Sequence, residues 1–269
     1  MPELPEVEAV ARSLRPLVRG QTILNCRVIH PIAVRPQSPA TLARKLTGQR
    51  IKDVERRGKY LVLRLGRGCL VLHFRLDGQL VWFDSGKATG HIDVTFDFQS
   101  GTLGFVDRRH LGRVNWLARP EDSRGLRSLG VDPLAREFDA GRLQALVRKA
   151  RRPVKLLLMD QTRIAGLGNI YVNEALWHAR LDPRRRAGGL SAGEARRLHK
   201  AIVYVLHRAL ECCLHPAPDF RDPDWWFQGL EKILRAYGRE GQACRRCQGR
   251  IRRIEQGGRS SYYCPRCQR

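Results

Sequence analysis

Two Cys-x-x-Cys pairs near the C-terminus constrain this chain more than any other feature: Cys244-Arg245-Arg246-Cys247 and Cys264-Pro265-Arg266-Cys267, with 16 residues between them. Each pair can present two thiolates to one side of a tight turn, and two such knuckles complete a tetrahedral site. Thiolates suit zinc or an iron–sulfur cluster. Two-pair spacing at the end of a β-ribbon favours one structural zinc with no open coordination position. Strands at 250–255 and 260–263, joined through Gly257-Gly258, are expected to make that ribbon. Cys26, Cys69, Cys212 and Cys213 lack ligand spacing and read as core thiols. The opening Met1-Pro2-Glu3-Leu4-Pro5-Glu6 does not read as a signal peptide. No apolar stretch approaches the roughly 18–20 residues of a membrane span. The expected location is therefore a reducing cytoplasm, where thiols serve metals rather than disulfides.

The second constraint is charge. The formal net charge is +24, from 50 Lys and Arg against 26 Asp and Glu. Residues 141–269 hold 27 basic and 11 acidic side chains, residues 1–140 hold 23 and 15, so the C-terminal half carries two-thirds of the excess. Such an imbalance points to a polyanionic partner, because each phosphate neutralised releases condensed counterions. The Arg-rich ribbon fits phosphates, with Arg259 expected at the hairpin tip.

The apolar pattern divides the chain. Residues 6–19 read as a helix, with Val7, Val10, Leu14 and Leu17 at helical spacing, Gly20 as a stop and Pro16 expected to end the regular part early. From Thr22 to about Leu117 the sequence reads as short strands without intervening helices, punctuated at Asp77-Gly78, Ser85-Gly86 and Ser100-Gly101. That pattern suggests an antiparallel sandwich or barrel. Residues 120–140 are polar and irregular, a linker. Helical periodicity follows over 143–149, 154–160, 172–179 and 192–214, and residues 216–229 read as a loop. Between two of these helices lies Ala165-Gly166-Leu167-Gly168-Asn169-Ile170-Tyr171. This is either an ordinary tight interhelical turn or a backbone cradle for phosphate, with Asn169 capping the following helix. Lys155, Arg163 and the overall charge favour the cradle.

Several segments together closely resemble the formamidopyrimidine-DNA glycosylases. They are Pro2-Glu3-Leu4-Pro5-Glu6-Val7-Glu8, Lys59 within Arg57-Gly58-Lys59-Tyr60, Gly166 to Tyr171, Tyr237-Gly238-Arg239-Glu240-Gly241 and the four-cysteine terminus. They span the chain in the family's order. The resemblance implies an α+β fold: an N-terminal β-sandwich with a leading helix (1–120), a linker (121–140), a helix–two-turn–helix domain (141–235) and a zinc-ribbon finger (236–269). It also implies a monomer that binds damaged double-stranded DNA, with one structural zinc on Cys244, Cys247, Cys264 and Cys267 and no membrane partner. The endonuclease VIII-like sister group shares this plan but usually carries Gly where Leu4 stands here.

The chemistry implied is that of a base-excision glycosylase and abasic-site lyase. Removal of Met1 would free Pro2 as a secondary amine that attacks the sugar C1′. An α-amino group has a reference pKa of about 7.7–8.0, so a neutral fraction exists near physiological pH. The resulting iminium cannot shed its charge by losing an N–H proton, so it acidifies the neighbouring C–H and strand elimination follows. Glu3 would be the general acid/base at the ring oxygen. Lys59 would be a proton donor or a phosphate clamp, and Arg259 would hold phosphate and assist elimination. Leu76, Arg109 and Leu111 align with side chains that fill the stack after base flipping, although Leu76 and Leu111 stand where Met and Phe are usual. His73, Lys155, Asn169 and Tyr237 align with further DNA contacts. The segment from Cys212 to Gly229 departs from the family's Gly-Gly-Ser/Thr pattern. It carries His215-Pro216-Ala217-Pro218 and Asp224-Trp225-Trp226-Phe227, whose Trp pair either stacks on an everted base or packs the loop onto the core. The expected substrates are oxidised or ring-opened purines, formamidopyrimidine and 8-oxoguanine. Oxidised pyrimidines, or non-catalytic binding of damaged DNA, are the alternatives.

Overall fold

The computed structural model describes residues 2–84, 91–222, 225 and 229–269. The described residues form two compact units, one from 1–127 and 213–228, the other from 128–212 and 229–269.

The first unit opens with α1 (Leu4–Val18), whose Leu4, Val7, Leu14 and Val18 are fully buried. The helix starts two residues before the sequence reading. Glu3 takes the extended N-cap conformation, and its N–H donates to Glu6 Oε2 at 2.9 Å, one half of a capping box. Pro16 does not end it. A proline in the last turn removes only one intrahelical donor, and the Arg19 N–H still closes on Arg15 O at 3.0 Å.

β1 (Asn25–Val28) leads through a 3₁₀ turn (Pro31–Val34) into α2 (Pro39–Leu46), so the expectation of strands alone fails here. Ser38 Oγ accepts the Thr41 N–H at 3.2 Å, Pro39 suits the first turn, and Leu42 and Leu46 bury one face. There follow β2 (Ile51–Arg57), β3 (Tyr60–Leu65), β4 (Cys69–His73), β5 (Gln79–Phe83), β6 (Ile92–Phe98), β7 (Gly101–Val106) and β8 (Arg113–Leu117). They pair antiparallel into two sheets, β1-β6-β7-β5 and β2-β3-β4-β8. Leu61, Leu63, Leu70 and Leu72 of one sheet share a core with Phe96, Leu103 and Phe105 of the other. Alternate side chains of each strand point inward, which makes this a sandwich. The Ser100-Gly101 turn joins β6 to β7, and the Ser85-Gly86 turn lies outside the described residues. α3 (Arg124–Arg127), with Leu126 buried, occupies part of the expected linker.

The segment 213–228, placed by sequence with the helical domain, clusters with this unit. The Trp82 N–H donates to Phe220 O at 2.6 Å and Trp225 Nε1 to Leu80 O at 2.9 Å, with Phe220 and Trp225 both in the core. Trp225 therefore packs the loop down. Trp226 lies outside the described residues.

The second unit contains α4 (Ala140–Val147), α5 (Val154–Leu158), α6 (Asn169–Ala179), α7 (Ala192–Cys213) and α8 (Leu230–Ile233), then the hairpin of β9 (Arg252–Gln256) and β10 (Arg259–Tyr263). Asn169 is the first residue of α6 rather than its cap; Gly168, in extended conformation, is the N-cap. No helix among the described residues is long and apolar enough to cross a membrane.

Candidate active site and metal centre

Strand pairing gathers the candidate catalytic side chains of the first unit at one end of one sheet. Arg57 pairs with Tyr60, Tyr60 with His73, and His73 with Arg113, a row across β2, β3, β4 and β8. From this row emerge the Gly58-Lys59 turn, the turn carrying Leu76 and the loop carrying Arg109 and Leu111. Gly58 has φ +60°, as the first central position of a type II′ hairpin turn requires, so Lys59 projects from the tip of β2–β3. α1 is bound to β2 by Arg56 Nε to Glu8 Oε2 at 2.8 Å and by Arg15 Nε to Val54 O at 3.0 Å. Those contacts run the helix against the strand direction, so its N-terminus, with buried Pro2 and Glu3, faces the same end.

His73 sits edge-on to Tyr60 at 4.5 Å between ring centroids. Burial, aided by the Arg75 and Lys59 charges, pushes its imidazole down to about 3. It is therefore neutral near physiological pH. Its Nδ1 accepts the Arg75 N–H at 3.0 Å, which leaves the proton on Nε2 as a donor. The loop before β8 is built on Asp107, a residue no motif flagged. Its buried carboxylate accepts the N–H groups of Arg109 (2.9 Å), Leu111 (2.9 Å) and Gly112 (2.6 Å). That nest fixes the backbone and leaves the side chains of Arg109 and Leu111 outside, Leu111 being 38% exposed. Arg109 also pairs with Asp77, beside Leu76, at 3.4 Å.

In the second unit, α5 and α6 carry the finger hairpin. Lys155 is fully buried, and its Nζ donates to Ser260 O and Ser261 Oγ, both at 2.7 Å. In this structure it therefore holds β10, where sequence had offered it to phosphate. Asn173 Oδ1 accepts the Tyr262 N–H at 2.6 Å. Glu174, also missed by sequence, accepts the N–H groups of Arg235 (2.7 Å), Ala236 (2.8 Å) and Tyr237 (2.8 Å). Both residues hide on an α6 whose helical pattern gives no sign that its polar side chains point inward. Arg259 opens β10, exposed, opposite Gln256 at the hairpin tip.

The four cysteine sulfurs of the finger lie within 4.8 Å of one another, with Cys247 and Cys264 Sγ 3.5 Å apart. Burial opposes ionisation of Cys244, but the N–H groups of Arg246 and Cys247 hold its thiol down at about 6. Four thiolates at this separation repel unless a cation sits among them, and a tetrahedral sulfur set is zinc's preferred structural site. The donor set fits one zinc ion, which would supply fold rather than chemistry.

Comparison with known proteins agrees with this arrangement. Residues 1–114 match the formamidopyrimidine-DNA glycosylase N-terminal domain, residues 129–214 its H2TH domain, and residues 241–269 the zinc finger found in FPG and IleRS. The formamidopyrimidine-DNA glycosylase of Pelotomaculum thermopropionicum is 39% identical over 276 residues, covering 100% of this chain and 99% of the relative. That of Moorella thermoacetica is 42% identical over 260 residues, 94% of each chain. Among solved structures, Lactococcus lactis FPG (MutM) bound to DNA containing an oxidised pyrimidine superposes with a TM-score of 0.89 at 31% identity, over 100% of both chains. The same protein bound to DNA containing N7-benzyl-Fapy-dG gives 0.89 and 31%, again over 100% of both chains. The chain belongs to the formamidopyrimidine-DNA glycosylase family.

Proposed function

We propose that this protein is a bifunctional DNA glycosylase and abasic-site lyase that removes oxidised or ring-opened purines, formamidopyrimidine and 8-oxoguanine, through the amine of Pro2. The observation that carries the reading is the convergence of Pro2, Glu3, Lys59, His73 and the Arg109–Leu111 loop at one end of one sheet. In this reading Pro2 nitrogen, freed by removal of Met1, attacks C1′, and Glu3 protonates the ring oxygen as the base departs. Buried beside the helix start, Glu3 is shielded from solvent until a sugar is delivered. Lys59, on its rigid turn, donates a proton or clamps phosphate, and the neutral Nε2–H of His73 donates to phosphate oxygen. Leu76, Arg109 and Leu111 fill the stack the flipped nucleotide leaves, Leu111 supplying apolar volume and Arg109 a planar donor fork. Arg259, Asn169 and Tyr237 hold the backbone from the second unit.

Lys155 enters this reading as the residue that positions the Arg259 hairpin. The working boundaries are 1–120, 121–140, 141–235 and 236–269, with 213–228 serving the first of these. The protein acts as a monomer in the cytoplasm, where a reducing medium keeps the finger thiols available to zinc.

A panel of duplexes with one lesion each tests the assignment. Base release and nicking are expected at formamidopyrimidine, 8-oxoguanine and abasic sites, with Glu3→Gln lowering base release at least about 100-fold, the scale of general acid–base catalysis. Activity confined to oxidised pyrimidines would overturn the lesion class, and tight binding with no cleavage at any site would overturn the enzyme.

A further inference from the structure

We propose that His30, Asp93 and His110 form a second metal site, separate from the four cysteines, that takes a divalent transition-metal ion of the zinc type. One ligand atom from each residue lies within 4.8 Å of the other two. The main chain brings them there. The Ile29 and His30 N–H groups both donate to Asp93 O, at 2.8 and 3.1 Å, so His30 is tied to the residue it faces. His110 rides on the loop that Asp107 fixes, with its own N–H on Asp107 O at 3.2 Å. It takes φ +52°, a left-handed conformation uncommon outside glycine, which adds strain to the position it holds. The two imidazole rings stand 4.4 Å apart, tilted by 41°.

The Asp93 carboxylate points to a cation. Its side chain is 0% exposed. Oδ1 meets His110 Nδ1 at 2.6 Å, while Oδ2 has no hydrogen-bond partner among the described residues. A buried carboxylate oxygen left unpaired is costly, and native structures rarely tolerate one. Two imidazoles and a carboxylate are a donor set that binds zinc-type ions. Ligand atoms around such an ion stand roughly 3.3 Å apart, from metal–ligand bonds of about 2.0–2.1 Å. The 2.6 Å contact therefore needs to open by less than 1 Å. Coordination through Nδ1 moves the ring proton of a neutral His110 to Nε2 and frees Asp93 Oδ1 for the same ion. His110 is 34% exposed, so water can complete the coordination. An ion there would pin the residue between Arg109 and Leu111. The site stands on its own geometry and does not depend on the DNA reading of that loop.

Metal content without DNA tests the proposal. The full-length protein with its cysteine site loaded is dialysed to equilibrium against a fixed micromolar concentration of free Zn2+. Two zinc ions per chain are expected for the wild type and one for His30→Gln and for His110→Gln, both at partly exposed positions. Co2+ added to wild type that carries zinc only at the four cysteines should give visible ligand-field bands without thiolate charge transfer. One zinc per chain in the wild type, or two retained in both variants, would overturn the site.

Discussion

Lys155 shows how a single buried charge couples this protein's stability to pH. Its ammonium is fully enclosed, with two oxygens to receive its protons. Burial first, and then the charge of Arg259, brings it down to about 8 from the usual 10.5. Between those two values the unfolded chain binds more protons at this residue than the folded one, so the contribution of Lys155 to stability rises with pH across that window. Comparing Tm with that of Lys155→Met isolates the effect. The wild type should gain on the variant as pH is raised from 7.5 to 10, by up to about 3 kcal/mol for a shift of this size. A gap that stays flat or closes contradicts the assignment. The chain could not announce this residue as structural. A lysine three residues before a helix ends reads equally as a solvated cation or a phosphate contact, and only tertiary packing against Ser260 and Ser261 decides.

Among the elements, those legible in the sequence carry their own local chemistry. The finger hairpin was written in its cysteine spacing and its Gly257-Gly258 turn, and α7 in an apolar stripe of 22 residues. Strands β3 and β4 show as short runs of Leu and Val. α2 was hidden because 31–39 holds three prolines and a polar surround, although Ser38-Pro39 with Leu42 and Leu46 was a usable start signal. The start of α1 was misplaced for a different reason. Glu3 reads as a reactive carboxylate beside Pro2 sooner than as a cap answered by Glu6. Asp107 and Glu174 were missed because a carboxylate that collects three backbone N–H groups has no sequence signature beyond a polar residue near a turn or on a helix.

Glu174 gives the element-scale prediction. A glutamine there offers one acceptor oxygen to three donors, so Glu174→Gln leaves an N–H facing an amide, at a cost of about 1–3 kcal/mol. The loss should be local. Amide exchange at Arg235, Ala236 and Tyr237 should accelerate by at least about tenfold, while the β3–β4 ladder keeps its protection. Uniform acceleration in both units would contradict the view that Glu174 serves only this segment.

At the scale of the whole molecule, charge and chemistry make separate claims. A chain with a formal charge of +24 should bind DNA with a steep salt dependence. If six or more phosphates are engaged, raising salt from 50 to 200 mM should weaken binding about 1,000-fold or more, measured by fluorescence anisotropy. A shallow slope would mean that the basic surface lies away from the DNA. The chemical claim is sharper. The proposed nucleophile is the amine that removal of Met1 would free on Pro2, at the start of a helix held against β2 and at the sheet end where Lys59 and His73 also lie. Borohydride reduction during incubation with abasic-site DNA should leave a covalent adduct. Peptide mass spectrometry should find the deoxyribose remnant on the nitrogen of an N-terminal Pro2, and Pro2→Gly should weaken the trapping. An adduct on Lys59 or another lysine, or full lyase activity in protein that retains Met1, would contradict it.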